Sequence, residues 1–393
     1  MNIKTSTHWK LALALTAAAA LTACGGGSDN NEPAPPAPRV SAVKVVGDSL
    51  SDSGTFGLKA TIQASADEPN VLWVERIAKS YDLAPLCPVY RLDKIDEVHG
   101  MTFAPNSQPG CTNFAIGGGR INNTLRDGGA EGELSVLRQL RDAGTAGWKA
   151  TDLLVADGGG NDAADLVGAY LGAPSDQGAA YMTLLGTVIP SATLQAVLAG
   201  PNGLETAGGL YMQTLADSFA ASIRTNGLDK GLQQALVANI PTITYTPRFQ
   251  AVLALVEQAG GPAVRAQAEG LFKGWVNAFN QRLAEKFADE PRVKVMDVAT
   301  RFTSFVAQPQ NYGLSNVTLP ACGAEWIPDS IVPHREFADC TAAALAATTP
   351  PPGSSGSDWW KRFLFSDGFH PTPYGHQLMG EQAVDLLGQA DWR

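Results

Sequence analysis

A serine that is to attack a carbonyl needs a base to take its proton and an acid to hold that base. The two ends of this sequence offer such a set. Val43 to Val46 is a short apolar run that stops at Gly47, and Asp48-Ser49-Leu50-Ser51-Asp52-Ser53-Gly54 follows at once. The pattern predicts a buried strand. Ser49 then sits just past its carboxyl end, the edge at which open α/β sheets bind ligands. A serine there is either a helix cap or a nucleophile, because Ser, Asp and Gly all suit strand-to-helix turns. Near the far end, Ser366-Asp367-Gly368-Phe369-His370-Pro371-Thr372 places an acid just before a histidine in a Gly- and Pro-rich turn. One such turn could supply both base and orienting acid, although D-x-x-H alone also occurs in ordinary surface loops.

Two further stretches bear on that choice. Asn113-Phe114-Ala115-Ile116-Gly117-Gly118-Gly119 and Gly158-Gly159-Gly160-Asn161-Asp162 each follow an apolar run. Each could bring a donor to an oxyanion, as a glycine N–H or as the Asn161 amide. Taken in order, the four stretches resemble the SGNH hydrolases, or GDSL esterases/lipases, from about Val43 to the end of the chain. Gly47-Asp48-Ser49-Leu50 is similar to the family's first block, Gly118 fits the glycine of the second, Gly159 through Asp162 the G-x-N-D of the third, and Asp367 with His370 the last. No G-x-S-x-G elbow of the ordinary α/β-hydrolases is present.

The resemblance implies a three-layer, flavodoxin-like α/β fold with a five-stranded parallel sheet. It implies catalysis by Ser49, His370 and Asp367, an oxyanion hole from the Ser49 and Gly118 N–H groups and the Asn161 amide, and no metal or organic cofactor. Asp48 and Asp52 read as turn and cap residues, Asp162 as support for the Asn161 loop, and His376 as structural. His99 and His334 have no obvious acid partner.

The elements that must position these residues alternate. Strands are expected at Val43–Val46, Thr112–Ile116, Leu153–Ala156, Ile240–Tyr245 and Val293–Met296. Leu72, Ile77 and Ala78 mark a helix ending near Tyr81, and Leu134, Leu137 and Leu140 mark another. Val264, Ala268, Leu271, Trp275, Phe279 and Leu283 fall on one face of a long amphipathic helix. Residues 84–110 read as irregular. Residues 163–240, rich in Ala and Leu, read as an inserted helical region over the substrate edge, and 308–362 as a second insertion. Alternation of this kind argues for a parallel sheet covered on both faces.

The 393 residues, 45% hydrophobic, allow a sizeable core. A formal charge of −10 without any basic run argues against a nucleic-acid partner, and no protein partner is predicted. Lys4 and Lys10 precede the apolar stretch Leu11–Leu21, which is too short to remain as a membrane span. It ends in Leu21-Thr22-Ala23-Cys24, similar to a bacterial lipobox. The expectation is a signal peptide at 1–23, lipidation of Cys24, a flexible tether over 24–40 and a hydrolase domain over 41–393. The protein would then be exported and anchored to a membrane through Cys24, the outer membrane being the expected one. The alternative is an ordinary cleaved signal and a secreted or periplasmic protein. Outside the cytosol, Cys87, Cys111, Cys322 and Cys340 are an even set. The local pairs Cys87–Cys111 and Cys322–Cys340 close the shortest loops. Buried free thiols are the alternative, and the spacing does not suit zinc.

The sequence therefore reads as a serine hydrolase of carboxylic esters, with lipid or short-chain acyl esters as substrate. A carbohydrate O-acetyl esterase would use the same blocks. A surface lipoprotein that only binds is the reading from another class.

Overall fold

Chain order explains how the site is positioned in this computed structural model, which describes residues 39–65, 69–96, 100–123, 128–322 and 334–393. Cys24 lies outside them, as do His99 and the side chain of His334. The first apolar run is strand β1 (Ala42–Val46). Helix α1 (Trp73–Ser80) follows, its first turn closed by Glu75 Oε2, which accepts the Leu72 N–H at 2.8 Å. Strands β2 (Tyr90–Asp96) and β3 (Gly100–Pro105) pair antiparallel. Ser135 caps α2 (Val136–Thr145), which leads to β4 (Asp152–Ala156). Helices α3 (Gly160–Asp176), α4 (Ala179–Gly186), α5 (Ser191–Leu198) and α6 (Gly203–Asn226) come next, then β5 (Gln234–Ala238). After α7 (Pro247–Phe287) come β6 (Val293–Met296) and α8 (Val298–Ala307). The chain closes with β7 (Asn316–Pro320), α9 (His334–Asp339), α10 (Ala342–Ala347), β8 (Phe363–Phe365) and α11 (Pro373–Gln389).

The main sheet is parallel throughout, in the order β1-β4-β5-β6. Every residue of β4 and β5 is buried, as expected where helices cover both faces. One face packs against α2, α3, α6 and α7 through residues such as Leu140, Leu166, Phe219 and Phe279. The other packs against α1 and α11 through Trp73, Ile77, Met379 and Leu387. The three layers are those expected, but the sheet has four strands and not five.

The missing strand has a local cause. Thr112–Ile116 does run beside β1: Val45 donates to Thr112 O at 3.1 Å, and Phe114 donates to Val45 O at 2.7 Å. Asn113 Oδ1, however, accepts the Ala115 N–H at 2.9 Å, an Asx-type turn that diverts the backbone. Only an isolated bridge, Val45 to Asn113, is left.

Three other expectations are corrected. The strand placed at Ile240–Tyr245 is Gln234–Ala238, inside the stretch read as helical insertion. Pro241 has no N–H for a ladder, and Ile243–Tyr245 forms a 3₁₀ turn. Residues 84–110 are not wholly irregular, because β2 and β3 form a ribbon there whose exposed charged residues masked the alternation. The long helix begins earlier than expected and breaks at Gly261, at φ 82°, just before Pro262, and Val264 is exposed.

The two disulfides are the local pairs. Cys87–Cys111, 24 residues apart, encloses the β2–β3 ribbon, and Asn113 N donates to Cys87 O at 3.2 Å, joining it to the segment beside β1. Cys322–Cys340, 18 residues apart, lies against the Asp367 turn, since Cys322 N donates to Ser366 O at 2.7 Å. By chain entropy each closure contributes about 3 kcal/mol. Replacing Cys87 and Cys111 together by Ser should therefore lower the unfolding free energy by that amount in a denaturant titration. An unchanged midpoint would show that the ribbon is held without the bridge.

Candidate active site

The turn after β1 is fixed from several sides. Asp48 O accepts the Ser51 and Asp52 N–H groups at 3.1 and 3.0 Å, and Asp48 Oδ1 accepts that of Leu50 at 3.0 Å. Ser51 Oγ donates to Asp157 Oδ1 at 2.7 Å and accepts from Trp73 Nε1 at 3.1 Å, while Asn113 Nδ2 donates to Ser51 O at 2.7 Å. Asp52 Oδ1 accepts the Gly54 and Thr55 N–H groups, at 2.9 and 2.8 Å. Asp48 and Asp52 are thus turn residues, and Ser49 is held at the tip.

Strand β8 delivers the facing turn. Asp367 Oδ1 accepts the backbone N–H groups of Phe369 and His370 at 2.7 and 2.6 Å. Its Oδ2 lies 2.8 Å from His370 Nδ1, and His370 Nε2 lies 2.7 Å from Ser49 Oγ. These partners assign the proton: Nδ1–H donates to the carboxylate, and Nε2 accepts from the hydroxyl. Phe337 and Phe369 meet the His370 ring edge-on at 5.3 and 5.6 Å. Ser49, Asp367 and His370 are each less than a tenth exposed, which strengthens every electrostatic interaction among them.

Burial disfavours both charged forms, but each partner overrides it. Burial alone would raise Asp367, yet the His370 charge and the hydrogen bonds to its carboxylate hold it below the usual value. Burial alone would lower His370, yet the Asp367 carboxylate, with a contribution from Asp48, raises it above 6.5. The His370 contribution to stability is complete at low pH and is lost as pH rises through its raised pKa. That of Asp367 is complete above 3.8 and is lost as pH falls through its lowered pKa. The pair supports the fold most between those limits.

The glycine block packs against the Ser49 turn. A Cβ on Gly119 would lie 2.6 Å from Gly47 O, so no larger residue fits. Gly118 has φ +81°, which favours glycine. The block's N–H groups divide clearly. Gly117 donates to Asp52 Oδ2 at 2.9 Å and Gly119 to Ile116 O at 2.9 Å. Among the described residues, the Gly118 and Ser49 N–H groups have no such acceptor.

Helix α3 holds the same block through residues of its first turns, Asn161, Asp162 and Asp165. Asn161 Nδ2 donates to Gly119 O at 3.0 Å, leaving its second N–H available. Asp162 accepts the Ile121 and Asn122 N–H groups at 3.0 and 2.7 Å, and burial raises its pKa to about 6. Asp165 grips the Arg120 guanidinium with two bonds, at 2.5 and 3.1 Å, and Arg120 Nη1 donates to Gly118 O at 2.7 Å.

Sequence reasoning missed that Arg120–Asp165 link. Its signal was present, since Asp165 lies one helical turn after Asn161 and Arg120 directly follows Gly119. It also missed Asp157. Asp48 and Asp157 are both buried side by side beneath the turn, and among the described residues Asp157 Oδ2 has no hydrogen-bond partner. Burial, then the neighbouring Asp48 charge, pushes Asp157 well above the carboxylate range. Nothing in the sequence marked this contact. Arg248, at the start of α7, feels the charges of Asp165 and Asp367, and its N–H donates to Gly368 O at 2.8 Å.

Beside the Ser49 turn lies a small apolar chamber of about 40 Å³, lined by Leu50, Trp73, Ile240, Ile243, Phe302 and Phe369 among others. Ser49 and His370 do not line it, but their neighbours Asp48, Leu50, Phe369 and Pro371 do.

The two described imidazoles differ sharply. His376 is fully buried and neither ring nitrogen has a partner, and burial lowers its pKa to about 3. In an NMR titration, with signals assigned by single substitution, His370 should titrate above pH 6.5 and His376 should stay neutral from pH 4 upward. The reverse order would overturn the electrostatic description of this site.

The arrangement suits transfer of a proton from a hydroxyl to an imidazole beside a cluster of N–H donors, the need of acyl transfer. No curated protein sequence matches this chain. Among solved structures, that of the lipase Lip_vut3 from a goat rumen metagenome aligns with 88% of this chain and 96% of its own, at 12% identity and a TM-score of 0.37. The profile of the GDSL-like Lipase/Acylhydrolase family matches residues 43–383. The chain belongs to that family and is a hydrolase acting on esters.

Proposed function

We propose that Ser49 is the nucleophile, His370 the general base and Asp367 its orienting acid. The observation that carries this reading is the unbroken hydrogen-bond chain from Asp367 through His370 to Ser49 Oγ. Ser49 Oγ attacks the ester carbonyl carbon as its proton passes to His370 Nε2. The imidazolium, stabilised by Asp367, returns that proton to the leaving alcohol. Water, deprotonated in turn by His370, then releases the acid from the acyl-enzyme. The Ser49 and Gly118 N–H groups and the free Asn161 N–H stabilise the oxyanion. In support of Gly118, its two neighbours already donate elsewhere.

The substrate read from the sequence is a lipid or short-chain acyl ester, and the apolar residues Leu50 and Phe369 next to Ser49 and His370 support an acyl group there. A panel of esters from acetyl to palmitoyl reads out the acyl preference. A second reading is a carbohydrate O-acetyl esterase, which would use the same catalytic residues, and acetylated sugars in one substrate panel decide between them. We further propose export as a lipoprotein anchored through Cys24, for which Leu21-Thr22-Ala23-Cys24 is the support. Several acyl chains on one residue would give a stable anchor.

Ser49→Ala should abolish labelling by a fluorophosphonate and lower kcat by about 10⁴-fold or more. Near-normal turnover by a purified, folded variant would remove Ser49 from the mechanism. Asn161→Ala should lower kcat by roughly 10²- to 10³-fold with little change in KM. A rise in KM alone would make Asn161 a substrate contact instead.

A further inference from the structure

Behind the His370 turn lies a groove of about 310 Å³ that the ester chemistry does not use. Arg76 of α1, Trp360, Lys361 and Arg362 before β8, and Tyr374 at the start of α11 line it, with Gln63 at its rim. Among the described residues no lining residue is acidic, in a chain whose formal charge is −10.

Two residues that line the groove carry donors without acceptors among the described residues. Trp360 is 4% exposed, and its indole Nε1 is buried with no hydrogen-bond partner. Arg76 Nε is likewise buried and unpartnered. Buried donors are seldom left in that state, because each forfeits its hydration without return. The Arg362 guanidinium stacks on the Tyr374 ring at 4.1 Å, which fixes its donor fork. The first turn of the 17-residue helix α11 also borders the groove, and its positive end favours an anion.

Nearby carboxylates do not remove the opportunity. Glu75 is held by Lys59 at 2.7 Å. Glu381 acts on Arg76 through space only, and Asp358 pairs with Lys361 at 3.1 Å from outside the groove. An indole N–H, a guanidinium fork and a second guanidinium on one cleft call for a ligand with several acceptor oxygens and negative charge. A tetrahedral oxyanion has both.

We propose that this groove is an accessory oxyanion site that takes a phosphate group, either free or carried on a lipid headgroup. The proposal is independent of the roles given to Ser49, His370 and Asp367.

Calorimetric titration of the full chain with inorganic phosphate, at ionic strength matched with chloride, tests it. Saturable binding is expected, weakened roughly tenfold or more by Trp360→Phe, which deletes the indole donor and keeps an aromatic ring, and likewise by Arg362→Gln. Hydrolysis of a short-chain ester by both variants should equal that of the parent, which also shows that they are folded. Flotation with phosphatidylcholine vesicles, with and without phosphatidic acid, identifies the source. Phosphatidic acid-dependent binding that both substitutions weaken assigns a lipid headgroup. Binding of inorganic phosphate alone assigns the free anion. Heat no greater than with chloride, or phosphate binding unchanged in both variants, would overturn the proposal.

Discussion

The hydrogen bond between His370 Nε2 and Ser49 Oγ joins residues 321 positions apart. No local preference of either turn can make that contact. The fold must bring the turn after β1 and the turn after β8 within 2.7 Å of one another and keep them there while side chains and backbone lose their freedom. The parallel sheet does most of this. Strands β1, β4 and β5 all run the same way, so the segments that follow them emerge at one edge. Ser49 and Asn161 come from two of those segments, and the glycine block reaches the same edge from beside β1.

Burial makes that meeting both effective and costly. A buried carboxylate and imidazole interact strongly, but only if their remaining polar atoms are satisfied. Asp367 meets this condition with two backbone N–H groups besides the imidazole. Asp48 and Asp157 meet it only in part: among the described residues no donor reaches Asp157 Oδ2, and burial raises the pKa of both carboxyls. Asp48 in turn acts on His370, adding to the effect of Asp367 in raising its pKa. His376, by contrast, tolerates burial by staying neutral.

The N–H groups near Ser49 are selected by subtraction. The glycine block carries several donors, and the fold assigns all but one of its glycine N–H groups to fixed acceptors. Helix α3 then grips the block through Asn161, Asp162 and Asp165, with Arg120 as the return contact. Position thus comes from residues that need never touch a substrate.

The sequence by itself determined the local chemistry. Apolar runs ending in Gly-Asp-Ser and Gly-Gly-Gly-Asn-Asp marked strand ends, because burial and chain reversal restrict residue types over a few positions. The acid and histidine of one tight turn were legible for the same reason, as was the local pairing of the cysteines. Tertiary structure decided what depends on distant neighbours. Thr112–Ile116 has the composition of a strand, yet Asn113 bonds its own backbone and Ser51, so no ladder forms. Gln234–Ala238 reads as helical from its Ala and Leu content, and only its place beside β4 makes it a strand. The donor left free in a run of glycines, and the raised pKa of Asp157 beside Asp48, are set by acceptors and charges from other strands. Such contacts are energies between segments, and they leave no mark on the spacing within one.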